Sequence, residues 1–462
     1  MENSRPRLDR FAWIVLALAL ALRVAVILIA FNTPEPHSGD GPFYIRTAQR
    51  PWLLGAYRDE KMQYERGVPV TSIGPMYPVY LIPLYNLIPD GAPLAPIVGA
   101  RLGQAAIDTL TVLIVYLIAG RLFGVRVGRV ALVAQALDVR YIFAAGPIAS
   151  ETLFIALFAA FMLAYTGATV PPTPAAGWGR YRLAGLLLGL AQLTRPVPLL
   201  YPAVLAVHAW LHPADRKRAL RGFAWLLGVA ALIVAPWMAR TAYVTGEFTP
   251  IVDTVFVHFW RNARPDREQI TSDEALAEAA AEDTGFDGYR GQNPHVEGTE
   301  YVSAGVEHIR EAPLRWVGRI VKDTLDAYLQ PYGTVILTPP GSGVKQAVRA
   351  FLAGEAPLGQ VLAVPGLWRR ALMYIWHYWA LIGGATGAVL AARRRGWEIF
   401  PLAAWVVYVT GVTAPLLIEP RYLFPAMFAL TILAAHASVW AWDALRARGA
   451  VPRFLLRPGL GG

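Results

Sequence analysis

Long apolar runs separated by short polar segments dominate the sequence. The first run extends from Phe11 to Phe31, and several later runs approach the roughly 20 residues that an α-helix needs to cross a bilayer. This pattern predicts an all-α polytopic membrane protein with about ten spans. The predicted spans lie at about residues 11–31, 97–119, 130–146, 150–169, 222–239, 367–391, 397–418 and 422–443, with two more short helices inside 183–211.

Length alone does not decide whether two of the apolar stretches span the membrane. Met76 to Ile88 is too short to span a bilayer and contains two prolines, which predicts an interfacial or re-entrant helix. Leu183 to Leu211 is long enough for one span. We interpret it instead as two short helices bent at Thr194-Arg195-Pro196, because a bend returns the following basic loop to the same side as the other basic loops.

Arginines in the short loops orient the predicted helices. Arg5, Arg7 and Arg10 precede the first run, so the positive-inside rule places the N-terminus in the cytoplasm, and the later basic loops place the C-terminus there too. A first loop (32–96) and a larger polar segment are then exoplasmic. The predicted modules are an N-terminal transmembrane module (1–239), a small exoplasmic α-rich domain (240–365), and C-terminal helices with a cytoplasmic tail (366–462).

Composition agrees with this interpretation and excludes some functions. The chain is 55% hydrophobic and only 16% charged, with a mean hydropathy of +0.40. Its net charge of +10 lies largely in short loops beside apolar runs, so membrane orientation explains the charge better than nucleic-acid binding does. The absence of cysteine excludes disulfides and thiolate metal sites. Arginine-, alanine- and glycine-rich usage is typical of a GC-rich bacterium, which predicts a bacterial inner membrane.

Asp40 is the most informative polar residue, because it follows the first span by nine residues and is held at the membrane surface. A carboxylate there is a candidate general base for a hydroxyl acceptor. The alternative is a solvated loop acid or the cap of a surface helix.

Several other charged residues lie in or beside the predicted spans, where charge is expensive and often functional. Each has a structural alternative. Arg101 and Asp108 share a helix face and could simply pair with each other. Arg195 and Arg421 could grip a phosphate, or bind helix-end carbonyls and the interface. Glu151 could be a second catalytic acid, or a favourable residue in a first helical turn.

Short motifs follow one another along the chain in a fixed order. They are Asp40-Gly41-Pro42-Phe43-Tyr44, Gly74-Pro75-Met76-Tyr77-Pro78, Arg101, Tyr116-Leu117-Ile118-Ala119-Gly120-Arg121-Leu122-Phe123-Gly124, Ser150-Glu151-Thr152-Leu153-Phe154, Gly189-Leu190-Ala191-Gln192-Leu193-Thr194-Arg195-Pro196, Pro236-Trp237-Met238-Ala239-Arg240 and Arg421-Tyr422-Leu423-Phe424-Pro425. In this order they resemble the GT-C membrane glycosyltransferases, in particular the group of dolichyl-phosphate-mannose–protein mannosyltransferases and lipid A aminoarabinose transferases. The resemblance covers most of the chain and is weakest over 241–365.

The resemblance implies a GT-C-like bundle with exoplasmic juxtamembrane helices, which transfers one sugar with inversion from a polyprenyl-phosphate donor to a glycan, lipid or protein hydroxyl. It implies that Asp40 is the catalytic base, with Glu151 as a candidate partner acid. The chain departs from many relatives in having Gly39 and Gly41 beside Asp40, and Thr241 after the Pro-Trp motif arginine.

The remaining candidate residues fall into two groups, one for the phosphate leaving group and one for substrate contacts. Arg195, Arg421 and Arg101 are candidates for the donor phosphate. Tyr44, Asp108, Arg240 and Tyr422 are candidates for substrate contacts. This scheme requires no metal or cofactor, and it is also compatible with a bound divalent cation. The alternatives are an oligosaccharide polymerase or ligase acting on lipid-linked glycans, a lipid or sugar transporter, and a structural subunit of an envelope complex.

Overall fold

The computed structural model describes residues 8–87, 95–170, 177–270, 272–284, 298–333 and 343–449. Parts of the predicted first loop and exoplasmic domain, and most of the predicted tail, lie outside these ranges. The regular elements described are all helices, which confirms the predicted fold class. The α-helices are α1 (Arg10–Ala30), α2 (Gly41–Gln49), α3 (Glu60–Arg66), α4 (Met76–Leu87), α5 (Ala95–Phe123), α6 (Val125–Leu137), α7 (Val139–Ala144), α8 (Glu151–Thr169), α9 (Trp178–Thr194), α10 (Tyr201–Trp210), α11 (Arg216–Thr245), α12 (Thr254–Ala263), α13 (Asp273–Thr284), α14 (Gly298–Glu311), α15 (Pro313–Leu329), α16 (Val344–Leu352), α17 (Leu358–Leu362), α18 (Leu367–Thr413), α19 (Pro420–Leu423) and α20 (Met427–Ala447), and 3₁₀ turns lie at Pro51–Leu54, Val197–Leu200, Arg267–Gln269 and Phe424–Ala426.

Six helices in the described ranges are long and apolar enough to cross a membrane. The chain is therefore an integral membrane protein. Helices cover each of the ten predicted spans, but four are shorter, bent or merged, so the count of ten stays a prediction. The six are Arg10–Ala30, Ala95–Phe123, Glu151–Thr169, Arg216–Thr245, Leu367–Arg393 and Pro420–Ala447.

Three of the helical segments contain breaks. Helix α9 ends at Thr194, and Arg195 is extended because Pro196 disfavours a helical conformation in the residue before it. Asp138 is extended between α6 and α7 and accepts a hydrogen bond from the Arg140 backbone amide. Arg395 interrupts α18 with φ −139° and ψ 30°. Each break leaves backbone groups that side chains from other segments can bind.

The core lies around α8, α20 and the second half of α18. Phe158 of α8 stacks on Trp405 of α18 with ring centroids 3.7 Å apart, and both are fully buried. Small residues let the backbones approach closely, as is typical of helix pairs in membranes. A Cβ atom at Gly387 would lie 1.9 Å from the Leu433 carbonyl oxygen of α20, so this crossing requires glycine.

One end of the bundle gathers the elements that carry the candidate chemistry. We call it the Asp40 end; there α1 and α9 end, α8 begins, and α19 follows the end of α18. Helices α2 and α4 pack together over this end through Tyr44 and Tyr77. Gly74, just before α4, abuts the α9 bend, since a Cβ atom there would meet the Leu193 carbonyl oxygen at 2.3 Å. The first loop is thereby fixed beside Arg195.

Candidate active site

Asp40 occupies the N-cap position of α2 but does not cap it. Its side chain accepts no hydrogen bond from the first turn of the helix. The carboxylate instead pairs with the guanidinium of Arg421, which is distant in sequence, and the side chain remains 42% exposed. Asp40 is therefore anchored to the bundle while one side stays open to a ligand.

Glu151 is the first residue of α8 and is buried, with its side chain only 1% exposed. Its Oε1 atom forms an ion pair with the guanidinium of Arg195 at 2.8 Å and accepts a hydrogen bond from the guanidinium of Arg421. Its Oε2 atom is buried without a hydrogen-bond partner in the described part of the chain. Glu151 thus holds the two arginines together and keeps one acceptor oxygen unused.

Arg195 enters the site from the extended residue that ends α9. Besides Glu151, its guanidinium donates to the Ser150 hydroxyl at 3.2 Å. Its side chain is 12% exposed, and its guanidinium carbon lies 5.8 Å from the centre of the Tyr422 ring. The bend at Pro196 places this cation at the end of the helix instead of within it.

Arg421 connects the two carboxylates. It lies in α19, directly after Pro420, and its Nε and Nη2 atoms donate to Glu151 and Asp40 respectively. Four segments that are far apart in sequence therefore contribute two acids and two arginines to one cluster. We call Asp40, Glu151, Arg195 and Arg421 the outer cluster; its formal charge is zero.

Three tyrosines border the outer cluster. The Tyr44 hydroxyl donates to Ser150 at 3.1 Å, and burial raises the pKa of Tyr44 to about 12, so its phenol stays neutral. Tyr422 lies beside Arg195. Tyr332, which follows α15, packs on Phe424 with ring centroids 4.7 Å apart. Burial, together with the charges of Glu151 and Asp40, raises the pKa of Tyr332 and keeps it protonated. Of these residues, only Tyr332 was missed from the sequence, because a single tyrosine after an amphipathic helix carries no distinctive signal.

Arg101 lies outside the outer cluster. It is fully buried, and its guanidinium donates to the carbonyl oxygens of Phe31, Glu35, Thr33 at 2.6 Å, and Gly146 at 2.9 Å. These bonds tie the chain that leaves α1 to the turn before α8. Carbonyl groups therefore already bind this cation in the structure, and its predicted contact with the donor phosphate stays a prediction.

Asp108 and Arg240 also have partners elsewhere. Asp108 pairs with Arg23 of α1 at 2.5 Å, not with Arg101. Arg240 donates to the carbonyl oxygens of Val70, Leu53 at 3.1 Å and Gly55 at 2.8 Å, and so it holds the first loop closed. The contacts shown for both side chains maintain the fold and involve no member of the outer cluster, so their predicted substrate contacts stay predictions.

No group of three or more histidine, aspartate or glutamate side chains is placed to hold a metal ion within the described ranges. The two carboxylates of the outer cluster are both directed at Arg421. The chemistry that this arrangement can perform with its own groups is proton transfer at Asp40 and anion binding at the two arginines.

Several solved structures are similar to this chain. The oligosaccharyltransferase of Archaeoglobus fulgidus, tethered with an acceptor peptide, aligns with a TM-score of 0.53 and 16% identity over 97% of this chain and 51% of that one. The complex of the same archaeal enzyme, AglB, with an inhibitory peptide and a dolichol-phosphate gives 0.53 and 16% over 98% and 52%. This chain thus spans about half the length of those relatives.

The chain has the GT-C fold of membrane glycosyltransferases. Residues 75–239 match the family model of the dolichyl-phosphate-mannose-protein mannosyltransferases, which confirms the resemblance seen in the sequence. That range contains Glu151 and Arg195, while Asp40 and Arg421 lie outside it. ArnT from Cupriavidus metallidurans in the apo state aligns with a TM-score of 0.41 and 16% identity over 94% of this chain and 79% of that one. Comparison with curated proteins gave no match.

Proposed function

We propose that this GT-C protein is an inverting glycosyltransferase that moves one sugar from a polyprenyl-phosphate donor to a hydroxyl acceptor. The observation that carries the proposal is the pairing of Asp40 with Arg421 beside Arg195 and Glu151. A carboxylate that stands at an N-cap without capping its helix, and that remains partly exposed beside two cations, suits proton transfer next to an anionic leaving group.

The two arginines form the donor side of the proposed site. A sugar linked to a polyprenyl phosphate carries a phosphodiester, which becomes a phosphate monoester dianion as the sugar leaves. Arg195 and Arg421 can offer paired hydrogen bonds to its oxygens, and such charge-assisted bonds strengthen as negative charge develops. The complex of the archaeal relative with a dolichol-phosphate supports a donor of this chemical type.

The proposed reaction uses Asp40 as the base. The acceptor oxygen attacks the anomeric carbon, and its proton passes to the Asp40 carboxylate. The bond between that carbon and the phosphate oxygen breaks on the opposite face, and its electron pair stays on the phosphate. Arg195 and Arg421 stabilise the phosphate, while Glu151 positions both guanidinium groups. Glu151 is therefore a positioning residue in this scheme, because its Oε1 atom is bound by both arginines.

Donor binding releases Asp40 for this role. Without a donor, Arg421 shares its donors between Asp40 and Glu151. A bound phosphate offers Arg421 a new anionic partner, and release of the Arg421 contact leaves the Asp40 carboxylate free to accept a hydrogen bond from the acceptor hydroxyl.

The predicted orientation places this reaction on the exoplasmic face. Basic loops on the opposite side support cytoplasmic termini, and the arginine-rich composition supports a bacterial inner membrane. The donor chain would lie in the bilayer and the acceptor would approach from outside. The acceptor class includes glycans, lipids and proteins that carry a free hydroxyl.

Mass spectrometry of envelope glycans tests the proposal whichever sugar is transferred. Cells that lack the protein would be rescued with the wild type or with Asp40→Asn at equal expression. We expect only the wild type to restore a species heavier by one sugar residue. Unchanged glycans upon deletion would contradict the transferase proposal, and equal rescue by both forms would exclude Asp40 as the base.

A further inference from the structure

Helix α12 is anchored at both ends to segments that lead to the site arginines. At its start, the Thr71 hydroxyl donates to Asp253 at 2.6 Å, and Ile251 and Val252 pack in one cluster with Leu193 and Leu199. The last two residues flank the bend that carries Arg195. The start of α12 is therefore fixed beside one of the two site arginines.

The other end of α12 is fixed beside the second arginine. Asn262 donates through its side-chain amide to the carbonyl oxygens of Ala414 at 3.3 Å and Pro415 at 3.1 Å. These carbonyls lie at the end of α18, six or seven residues before Arg421. Since both of its ends are anchored, α12 bridges the two segments that supply the cations.

His258 lies on the face of α12 that is directed at the bundle. Asn262 follows it by four residues, so the two share a helix face. The opposite face carries Val257 and Trp260, which pack against Tyr301 of α14. Since Asn262 on the same face binds the segment that leads to Arg421, His258 lies in the region of the outer cluster, and the Asp40 carboxylate accordingly acts to raise the pKa of His258.

The His258 ring has unused hydrogen-bonding capacity. Its Nδ1 atom is buried without a partner among the described residues. Burial and the charge of Arg261 lower the pKa of His258, while Asp40 raises it less, so the ring is neutral near pH 7. A neutral imidazole has one donor and one acceptor, and leaving a buried one unpaired destabilises the fold. Buried unpaired groups of this kind are rare and call for a ligand or a water.

Building on the proposed function, we infer that His258 is an acceptor-recognition residue that hydrogen-bonds a hydroxyl group of the acceptor beside Asp40. Arg195, Arg421 and Glu151 take the phosphate side of the site, which faces the bundle. Helix α12 bridges the segments that carry the two arginines, and the exposed part of Asp40 is left for a polar acceptor. Residues of α12 therefore contact the acceptor and leave the donor phosphate to the arginines.

Two substitutions at His258 separate hydrogen bonding from packing. His258→Leu retains a side chain of similar bulk and removes both nitrogens. His258→Asn places an amide close to the position of Nδ1. His436 provides a matched control, because it stacks on Phe123 and lies nine residues into α20, well away from α12. His436→Leu should leave the kinetics unchanged.

Purified full-length variants would be assayed with fractions taken from cells that lack the protein: the polyprenyl-phosphate sugar lipids as donor, and the unmodified envelope glycan or glycolipid fraction as acceptor. Initial rates over a dilution series give an apparent KM for each fraction. We expect His258→Leu to raise the apparent KM for the acceptor about tenfold, with the donor KM within about twofold, and His258→Asn to recover most of the loss.

The outcomes separate this inference from the proposed function. If the wild type transfers no sugar between the fractions, the proposed function fails. Suppose instead that the wild type is active. If His258→Leu then leaves the acceptor KM unchanged, or alters the donor and acceptor KM equally, the inference that His258 recognises the acceptor is wrong. A loss in His258→Leu that His258→Asn does not restore would also contradict it, provided that both variants keep the thermal unfolding temperature of the wild type.

Discussion

Two clusters of charged side chains lie in this bundle, and they differ in what their hydrogen-bonding groups do. The outer cluster joins Asp40, Glu151, Arg195 and Arg421. The inner cluster lies deeper and contains the pairs Arg23–Asp108 and Asp138–Arg140 with His377. Both clusters draw acids and arginines from distant segments and both are electrically neutral, so charge alone does not distinguish them.

The inner cluster is saturated with protein partners. Arg23 binds Asp108 and the carbonyl oxygens of Ala19 at 3.0 Å and Ala136 at 3.1 Å, and its side chain is fully buried. Arg140 donates to His377 Nδ1 at 3.0 Å, while His377 Nε2 donates to the Tyr328 carbonyl at 2.6 Å. This network joins α7 to α18 and α15, and its charges are matched within the protein.

The outer cluster keeps capacity for a ligand. Asp40 is 42% exposed and Arg421 is 23% exposed, whereas the side chains of the inner pairs are at most 4% exposed. The Oε2 atom of Glu151 also has no hydrogen-bond partner among the described residues. A charge in a membrane protein therefore indicates function when its partners leave part of it unsatisfied, and indicates structure when they do not.

The largest expected effect is that of Asp40→Asn on activity. The amide keeps the size of the side chain but accepts no proton, so we expect transfer to fall by about 10²–10⁴-fold. Thermal unfolding in detergent should be unchanged, because the carboxylate is half exposed. Single-turnover transfer, followed by mass spectrometry, measures the loss, and a loss below tenfold would exclude Asp40 as the base.

The corresponding aspartate-to-asparagine change in the inner cluster should lower the stability of the fold. Asp108→Asn leaves the buried Arg23 guanidinium without its counter-charge, which costs about 3–5 kcal/mol. We expect a lower unfolding temperature in detergent, with the apparent KM of the remaining folded protein unchanged. A selective rise in donor KM would show instead that Asp108 contributes to the site.

Arg421→Lys should weaken donor use. Lysine keeps the charge but cannot bind Asp40 and Glu151 with separate nitrogens in the geometry of a guanidinium. We expect kcat/KM for the donor to fall about 10–100-fold, with a larger effect on donor KM than on acceptor KM. The assay is the initial rate over a donor dilution series; an effect confined to acceptor KM would contradict the assignment.

Tyr44→Phe should have a smaller effect. It removes the hydrogen bond to Ser150, which in turn accepts from Arg195, and a single neutral bond is worth about 1 kcal/mol. We expect activity to fall by less than about tenfold and the protein to remain folded. Parallel measurements of rate and unfolding temperature check this; a loss as great as that of Asp40→Asn would give Tyr44 a direct chemical role.

The smallest effect is expected when both partners of an inner pair are removed. Arg23→Met with Asp108→Leu exchanges the ion pair for apolar groups, and such exchanges are often neutral or stabilising, by up to about 4 kcal/mol. We expect an unfolding temperature at or above that of the wild type, and unchanged transfer. If the double variant unfolds at as low a temperature as Asp108→Asn, the ion pair stabilises the fold by more than the neutralisation of buried charge.

Sequence patterns were sufficient for much of the fold and for the members of the outer cluster. Apolar runs predicted the helices because a bilayer requires about 20 apolar residues per span, and Pro196 marked the bend at Arg195 because proline disturbs a helix locally. Asp40, Glu151, Arg195 and Arg421 stand out in the sequence because each is a charged residue beside a predicted span or at the predicted bend. These signals are local, and so the sequence contains them directly.

The partners of these charged side chains could not be deduced in the same way, because they depend on contacts between segments far apart in the chain. Arg101, Asp108 and Arg195 are all charged residues in or beside apolar runs, and their local sequences do not show which of them faces a ligand. Packing decided that carbonyl groups surround Arg101, that Arg23 neutralises Asp108, and that Arg195 meets Glu151 in the partly open outer cluster. The sequence by itself determined which residues could carry charge into the membrane; the tertiary structure decided which of those charges remain available, because burial and hydrogen bonding are properties of the assembled bundle.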